Sequence, residues 1–395
     1  MRHDYEYYSR ILEREALPYA FVDLDLLKQN VALVVSKAGD KRIRPGTKAV
    51  RSVAVLRAIL DSDSRLSGSM CYSAAEAVFL SERGFDDLLV AYPTCQTAQL
   101  EKVCSELRRG KSIVLTFDSE DHLSRYQAVA ERQDVILPLC LDLDLATRFP
   151  FLHFGIRWST VNTPEQARRL CRVLKSSANL RLSGVIAYEA QIAGLPDRLP
   201  GHRVHNSAAR ILKSLSLPKI SKVRREVVQA VENEGGRLDF VNAGGTASLE
   251  ITAQDETVTE LTPGSGFYAP ALFDYYRNSK FLPAAAYAVE ITRKAGKSLV
   301  CHGGGYNAPG VCDPSKAPVP YLPEGIRLTA MEGAGEVQTP MTYEGNERMA
   351  LGDPVFFRTS TAGILAEHFN QLILISDGKI VDRVTTYRGD GMCFV

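Results

Sequence analysis

From about residue 18 to about residue 270, short apolar, β-branched runs alternate with longer amphipathic stretches, the rhythm of β-α units feeding a parallel sheet. Strands are expected at Ala20–Leu24, Arg42–Pro45, Leu66–Ser69, Asp87–Tyr92, Ile113–Phe117, Val135–Leu141, Leu152–Ile156, Leu182–Tyr188, Asp239–Ala243 and Thr257–Leu261. Helical spacing fills the intervals at Leu24–Ala38, Ser52–Leu60, Ser73–Arg83, Thr97–Arg109, Thr163–Ser176 and Arg203–Leu215, several opening on a residue suited to N-capping. Slightly more than eight strands within a span of about 250 residues suit a closed (β/α)8 barrel of the TIM type better than an open sheet.

The texture changes after about residue 283. The runs Ala286–Thr292, Ser298–Cys301, Pro354–Arg358, Leu372–Ile375 and Lys379–Val384 are short and separated by Gly, Pro, Asn and Asp, with little helical signal. The expected division is an α/β barrel over 18–275 and a β-rich C-terminal domain over 276–395. The N-terminal segment 1–17 belongs with the second of these, as a helix returning to it.

A chain of 395 residues exceeds the size at which one core stops growing, in keeping with two domains. The formal charge of +1 leaves no excess of one sign for a nucleic-acid or anionic-membrane surface. Arg108-Arg109 and Lys222-Val223-Arg224-Arg225 sit beside Glu106 and Glu226 and read as solvated helix faces. No apolar run approaches the roughly 20 residues needed to span a bilayer. The charged, aromatic N-terminus lacks the apolar segment of a secretory signal, so a cytoplasmic location is expected. Eight dispersed cysteines, Cys71, Cys95, Cys104, Cys140, Cys171, Cys301, Cys312 and Cys393, contain no C-x-x-C pair and read mostly as reduced, buried residues.

Reactive groups of a barrel stand at the carboxyl ends of its strands. Lys48 follows the strand Arg42–Pro45 in Gly46-Thr47-Lys48, where a desolvated amine could form a Schiff base; an exposed lysine at a helix start is the alternative. Two late glycine turns, Asn242-Ala243-Gly244-Gly245-Thr246 and Pro263-Gly264-Ser265-Gly266, each carry a hydroxyl and can expose backbone N–H groups. Singly they read as tight turns; together they read as an anion site for a phosphorylated cofactor. Arg157 and Tyr188 close two further strand ends, as ring-binding groups or as members of a rim ion pair.

Taken together, these residues resemble the fold-type III pyridoxal-phosphate enzymes, the alanine racemase barrel class, and within it the D-threonine aldolase and D-serine dehydratase branch. The resemblance is carried by Ala20-Phe21-Val22-Asp23-Leu24-Asp25, Arg44-Pro45-Gly46-Thr47-Lys48, Gly84–Pro93, Gly155-Ile156-Arg157, Gly184–Glu189, Gly244-Gly245-Thr246 and Glu260–Ser265, with a weaker extension through Glu367-His368 to the Cys393 tail. It implies that Lys48 carries pyridoxal 5'-phosphate as a Schiff base. It further implies that Gly244, Gly245, Thr246, Gly264 and Ser265 bind the cofactor, with its phosphate on the last four, and that Arg157 and Tyr188 line the ring. It also implies a homodimer acting on a small amino acid.

The chain departs from the branch where metal-using members place histidines. Gly46, Val50 and Gln191 stand at three such positions, and the C-terminal His-x-Cys pair reads Gly391-Met392-Cys393. Cys393 is the surviving candidate metal ligand and its partner histidine is absent, which puts a divalent metal in question. The expected activity is that of a lyase on a D-amino acid, a β-hydroxy amino acid aldolase or a dehydratase, with His302 or His368 as the further acid or base. The alternative is a metal-free racemase or epimerase using Tyr287, Tyr306 or Tyr321. A non-catalytic pyridoxal-phosphate carrier is the third reading, opposed by the β-rich segment that follows the barrel.

Overall fold

The computed structural model describes residues 3–310 and 313–395. The chain forms two compact units, one of Val34–Lys48, Ile59–Gly264 and Phe394–Val395, the other of Met1–Leu33, Ala49–Ala58 and Ser265–Cys393.

The first unit is built on eight parallel strands. In spatial order they are Arg42–Ile43, Glu260–Leu261, Phe240–Ala243, Leu180–Ile186, Leu137–Asp142, Ile113–Phe117, Leu88–Val90 and Ser69–Cys71. The sheet's two ends meet: Ile43 N donates to Arg65 O at 2.9 Å, Ser67 N to Ile43 O at 3.0 Å and Met70 N to Pro45 O at 2.9 Å, closing the barrel. Runs such as Ile113–Phe117 are buried at every position, as parallel strands covered by helices must be. The helices start where hydroxyls accept the orphan N–H groups of the first turn. Ser73 accepts from Glu76 N, Ser119 from His122 N, and Thr163 forms a full capping box with Gln166 ahead of Pro164.

Leu89, Val114, Cys140, Ile186 and Phe240 fill the barrel, with Met70 and Ala91 against them. Gly184 is required here, because a Cβ on it would stand 2.5 Å from the Phe240 ring. A buried polar layer accompanies this core. The Arg44 guanidinium, 1% exposed, donates to both Glu260 oxygens at 2.8 and 3.0 Å and to Asp87 O at 2.6 Å, while Asn242 Nδ2 donates to Glu260 Oε1 at 2.9 Å. Satisfying every arm of the ion pair is what makes a charge tolerable inside a barrel.

The second unit is mainly antiparallel, a nine-stranded sheet that includes Ala285–Ala295, Ser298–His302, Gln338–Tyr343, Pro354–Arg358, Gln371–Ser376 and Lys379–Thr385. Tyr8, Phe21, Ala286, Ala288, Phe356 and Ile375 belong to its core. The N-terminal helix Tyr5–Ile11 packs Tyr7 and Tyr8 into that cluster.

Two expected barrel strands lie elsewhere. Ala20–Leu24 forms Tyr19–Asp23, which runs antiparallel to Ala285–Ala288 and parallel to Ile373–Ile375 in the second unit's sheet. Leu152–Ile156 yields only Leu152–Phe154, a local hairpin with Thr147–Phe149 inserted after the strand Leu137–Asp142. The helix expected at Arg203–Leu215 runs on to Gly235 with Pro218 inside it. Proline removes one backbone donor, yet packing of the flanking turns outweighs that local cost.

Seven described cysteines are free thiols, five of them buried and Cys95 and Cys393 exposed; Cys312 lies outside the described residues. No described helix is long and apolar enough to cross a membrane.

Candidate active site

The carboxyl ends of the barrel strands gather most of the residues singled out in the sequence. Lys48 lies in the short 3-10 turn Thr47–Ala49 that follows the strand Arg42–Ile43. The residue is exposed, in line with the reading of an exposed lysine at a helix start. The turn is anchored on both sides: Gly46 N donates to Pro263 O at 2.9 Å and Thr47 Oγ1 donates to Met70 O at 2.9 Å. A Cβ on Gly46 would stand 3.7 Å from Gly264 Cα, so the lysine turn and the second glycine turn lie side by side.

The two glycine turns are joined in the same way, Gly264 N donating to Thr246 Oγ1 at 3.2 Å. Gly244 has φ +72°, the left-handed conformation that favours glycine. Gly245 faces an aromatic ring, since a Cβ there would stand 3.0 Å from Tyr188 Cε2. Tyr188 in turn stacks on Trp158, with centroids 6.4 Å apart and planes 8° from parallel, and Tyr92 meets Trp158 edge-on at 6.5 Å. Arg157 precedes Trp158 and is exposed. Lys48, Gly46, Gly264, Thr246, Gly245 and Tyr188 thus form one continuous rim, with Ser265 the residue next after Gly264.

A buried charge network carries the first glycine turn. Glu189, 1% exposed, accepts from Ser248 Oγ at 2.6 Å, Thr252 Oγ1 at 2.7 Å and Arg224 Nη2 at 2.6 Å, and Arg224 also donates to Asp255 at 2.7 Å. Ser248 Oγ accepts from Gly245 N at 3.0 Å, so the Glu189 carboxylate fixes the turn through one intervening hydroxyl.

Asp142 is a residue that sequence reasoning missed. It ends the strand Leu137–Asp142 two positions beyond Cys140, and the two-residue period of a strand turns both toward the barrel interior. Burial, reinforced by the neighbouring carboxylates Asp118 and Asp144, pushes its carboxyl up to about 7. The available signal was a carboxylate closing an otherwise apolar strand, Leu137-Pro138-Leu139-Cys140-Leu141-Asp142. Tyr92 and Trp158 were not singled out in the sequence either.

Gln191, one of the three positions at which the resemblance implies a histidine in metal-using members, is buried and donates Nε2 to Leu145 O at 2.6 Å. Cys393 is exposed. Among the described residues there is no group of three or more His, Cys, Asp and Glu side chains placed to hold a metal ion.

In the second unit, His368 stacks on Tyr306 at 4.2 Å, and burial together with Arg388 lowers its pKa. Tyr287 is fully buried and donates its hydroxyl to Gly304 O at 2.7 Å. Burial raises the pKa of Tyr306 and of Tyr321. His302 is exposed at the end of Ser298–His302.

The alanine racemase N-terminal domain family matches residues 22–271. The 3-hydroxy-D-aspartate aldolase of Paracoccus denitrificans (strain Pd 1222) is 24% identical over 262 residues, which cover 66% of this chain and 62% of that protein. The match therefore spans less than two thirds of the relative's length. Among solved structures, D-threonine aldolase from Filomicrobium marinum superposes with a TM-score of 0.80 at 17% identity, covering 96% of each chain. D-threo-3-hydroxyaspartate dehydratase from Delftia sp. HT23 gives 0.75 at 18% identity over 95% of this chain and 98% of that one, and alanine racemase of Clostridium difficile 630 gives 0.66 at 12% over 94% and 99%. These likenesses establish the shared fold.

Proposed function

The chain belongs to the alanine racemase N-terminal domain family, a family of fold-type III pyridoxal-phosphate enzymes, and from that premise we propose that it is a pyridoxal-phosphate-dependent lyase acting on a D-β-hydroxy amino acid, by aldol cleavage or by dehydration. The observation that carries this reading is the joined rim, in which Gly46 N bonds Pro263 O and Gly264 N bonds Thr246 Oγ1, so that an amine-bearing turn and two glycine turns share one edge of the barrel mouth.

The residues present fit the cofactor. Thr246 and Ser265 offer hydroxyls beside Gly245 and Gly264, each able to donate to a phosphate oxygen. Tyr188, seated against Gly245 and stacked on Trp158, offers a flat face for a ring, and Arg157 offers a cation beside it. Lys48 would hold the cofactor through Nζ. When bound, pyridoxal phosphate supplies an electron sink for charge released at the substrate's Cα.

The remaining work falls to the chain itself. Lys48 Nζ is the base proposed at the strand ends. Asp142, protonated up to about pH 7, is a second proton holder at the same end of the barrel. Glu189 and Arg224 keep the Gly245 turn in place from beneath. The racemase reading asks for a tyrosine base, and Tyr287 already commits its proton to Gly304 O.

The test is a panel of D- and L-β-hydroxy amino acids incubated with the reconstituted protein, following carbonyl release by hydrazone formation and enantiomer composition by chiral chromatography. A carbonyl product from D isomers alone supports the lyase; inversion at Cα without carbonyl release overturns it in favour of the racemase.

A further inference from the structure

The hairpin inserted between Asp142 and Gly155 lines a partly open cavity. It has a volume of about 240 Å³ and lies between the hairpin Thr147–Phe149/Leu152–Phe154 and the long helix Arg203–Gly235 near Pro218. Its polar lining is Asp144, Thr147, Arg148, His153, Asn162 and Lys219, and its floor is apolar, with Leu145 and Ile220 buried. Two of these residues are cations and a third is an imidazole. Asp144 is the one carboxylate, and burial works against its charge.

His153 is the informative member. Both of its ring nitrogens are buried and neither has a hydrogen-bond partner. Native structures satisfy the great majority of buried polar groups, and leaving one unpaired costs about 1–3 kcal/mol. The imidazole faces a cavity that Arg148 and Lys219 also line. Lys219 is held in position by the Phe149 ring, its Nζ lying 4.3 Å from the centroid. Donors converge on the space from three elements, the hairpin, the long helix and the loop at Asn162.

We propose that this cavity is a binding site for a small α-hydroxy carboxylate, the carboxylate taken by Arg148 and Lys219, one oxygen bonded by His153, and the α-hydroxyl donated to Asp144. The lining shares no residue with the joined rim, and the proposal does not depend on the reaction assigned to that rim. The hairpin leads directly into Gly155, whose backbone is pressed against Ala146 so closely that a Cβ would stand 2.7 Å from Ala146 Cα. Three residues further on lies Trp158, the single tryptophan of the chain. A ligand ordering the hairpin is thus read by the fluorescence of one known residue.

Isothermal titration calorimetry of the full chain with glycolate, propionate and chloride tests this, with Trp158 fluorescence as a local reporter. Glycolate binds saturably, propionate at least about tenfold more weakly for lack of the hydroxyl, and chloride not at all; a tenfold change is the size expected for one charge-assisted hydrogen bond. Binding is weakened at least about tenfold in Arg148→Ala and in His153→Phe, and is retained in Lys48→Ala, which separates this site from the barrel rim. Arg148 is exposed, so its replacement keeps the test valid even if His153→Phe fails to fold. Absence of saturable glycolate binding, equal affinity for propionate, or unchanged binding in Arg148→Ala would each overturn the proposal.

Discussion

Gly264 and Thr246 are joined by a single hydrogen bond, the amide of Gly264 donating to Thr246 Oγ1 at 3.2 Å across eighteen residues of chain. Thr246→Val keeps the shape of the side chain and removes the oxygen that both ties the turns and faces the proposed phosphate. Affinity for pyridoxal phosphate should fall on the order of tenfold, the consequence of losing about 1.4 kcal/mol. Fluorescence titration of the cofactor measures this directly, and rescue by Thr246→Ser distinguishes the oxygen's role from that of the methyl group.

Gly245→Ala places a methyl group 3.0 Å from the Tyr188 ring, tighter than an ordinary van der Waals contact, so the ring must yield. The expected outcome is a displaced Tyr188–Trp158 stack, seen as a change in Trp158 fluorescence, with cofactor affinity lowered and global stability changed by about 1–3 kcal/mol. An unchanged fluorescence spectrum would contradict the placement of Tyr188 over this glycine.

Breaking the pair beneath the same turn should be severe. Arg224→Met leaves Glu189 buried with two hydroxyl donors and no countercharge, and removal of one partner from a buried pair costs about 3–5 kcal/mol. Urea denaturation measures the loss. The double variant Arg224→Met/Glu189→Gln should recover a substantial part of it, because the uncompensated charge is gone.

Asp142 makes stability depend on pH in a stated direction. Its carboxyl titrates near 7 in the folded chain and near the ordinary carboxylate value when unfolded, so the folded state binds the extra proton between those limits. Stability contributed by this group is therefore lost as pH rises through 7, and Asp142→Asn should relieve the loss. The variant should be more stable than the wild type above pH 7, by about 2–4 kcal/mol at most, with the difference vanishing near pH 4. Thermal unfolding across that range checks both sign and window.

The sequence was informative where local pattern and periodicity sufficed. The eight barrel strands, the capped helices and the change of texture near residue 283 all rest on residues close together in the chain. The two surplus strands show the limit. Tyr19–Asp23 is as apolar as any barrel strand, and only its pairing with Ala285–Ala288 and Ile373–Ile375, far off in sequence, assigns it to the other sheet. Leu152–Phe154 looked like a strand because hairpin and barrel strands share a period of two. Strand-end reasoning picked out Lys48, Tyr188 and the glycine turns, but could not foresee that Glu189 is buried with Arg224, or Arg44 with Glu260, since these pairs join residues 35 and 216 positions apart. Asp142 was written in the sequence as the last residue of a strand, yet its raised pKa arises from burial that only the closed barrel provides.

The most direct test of the central claim is borohydride reduction of the protein reconstituted with pyridoxal phosphate, followed by peptide mass spectrometry. A pyridoxyl group is expected on Lys48 and none in Lys48→Ala, with loss of carbonyl release from D-β-hydroxy amino acids in that variant. A pyridoxyl group on a different lysine, or on none, would contradict it.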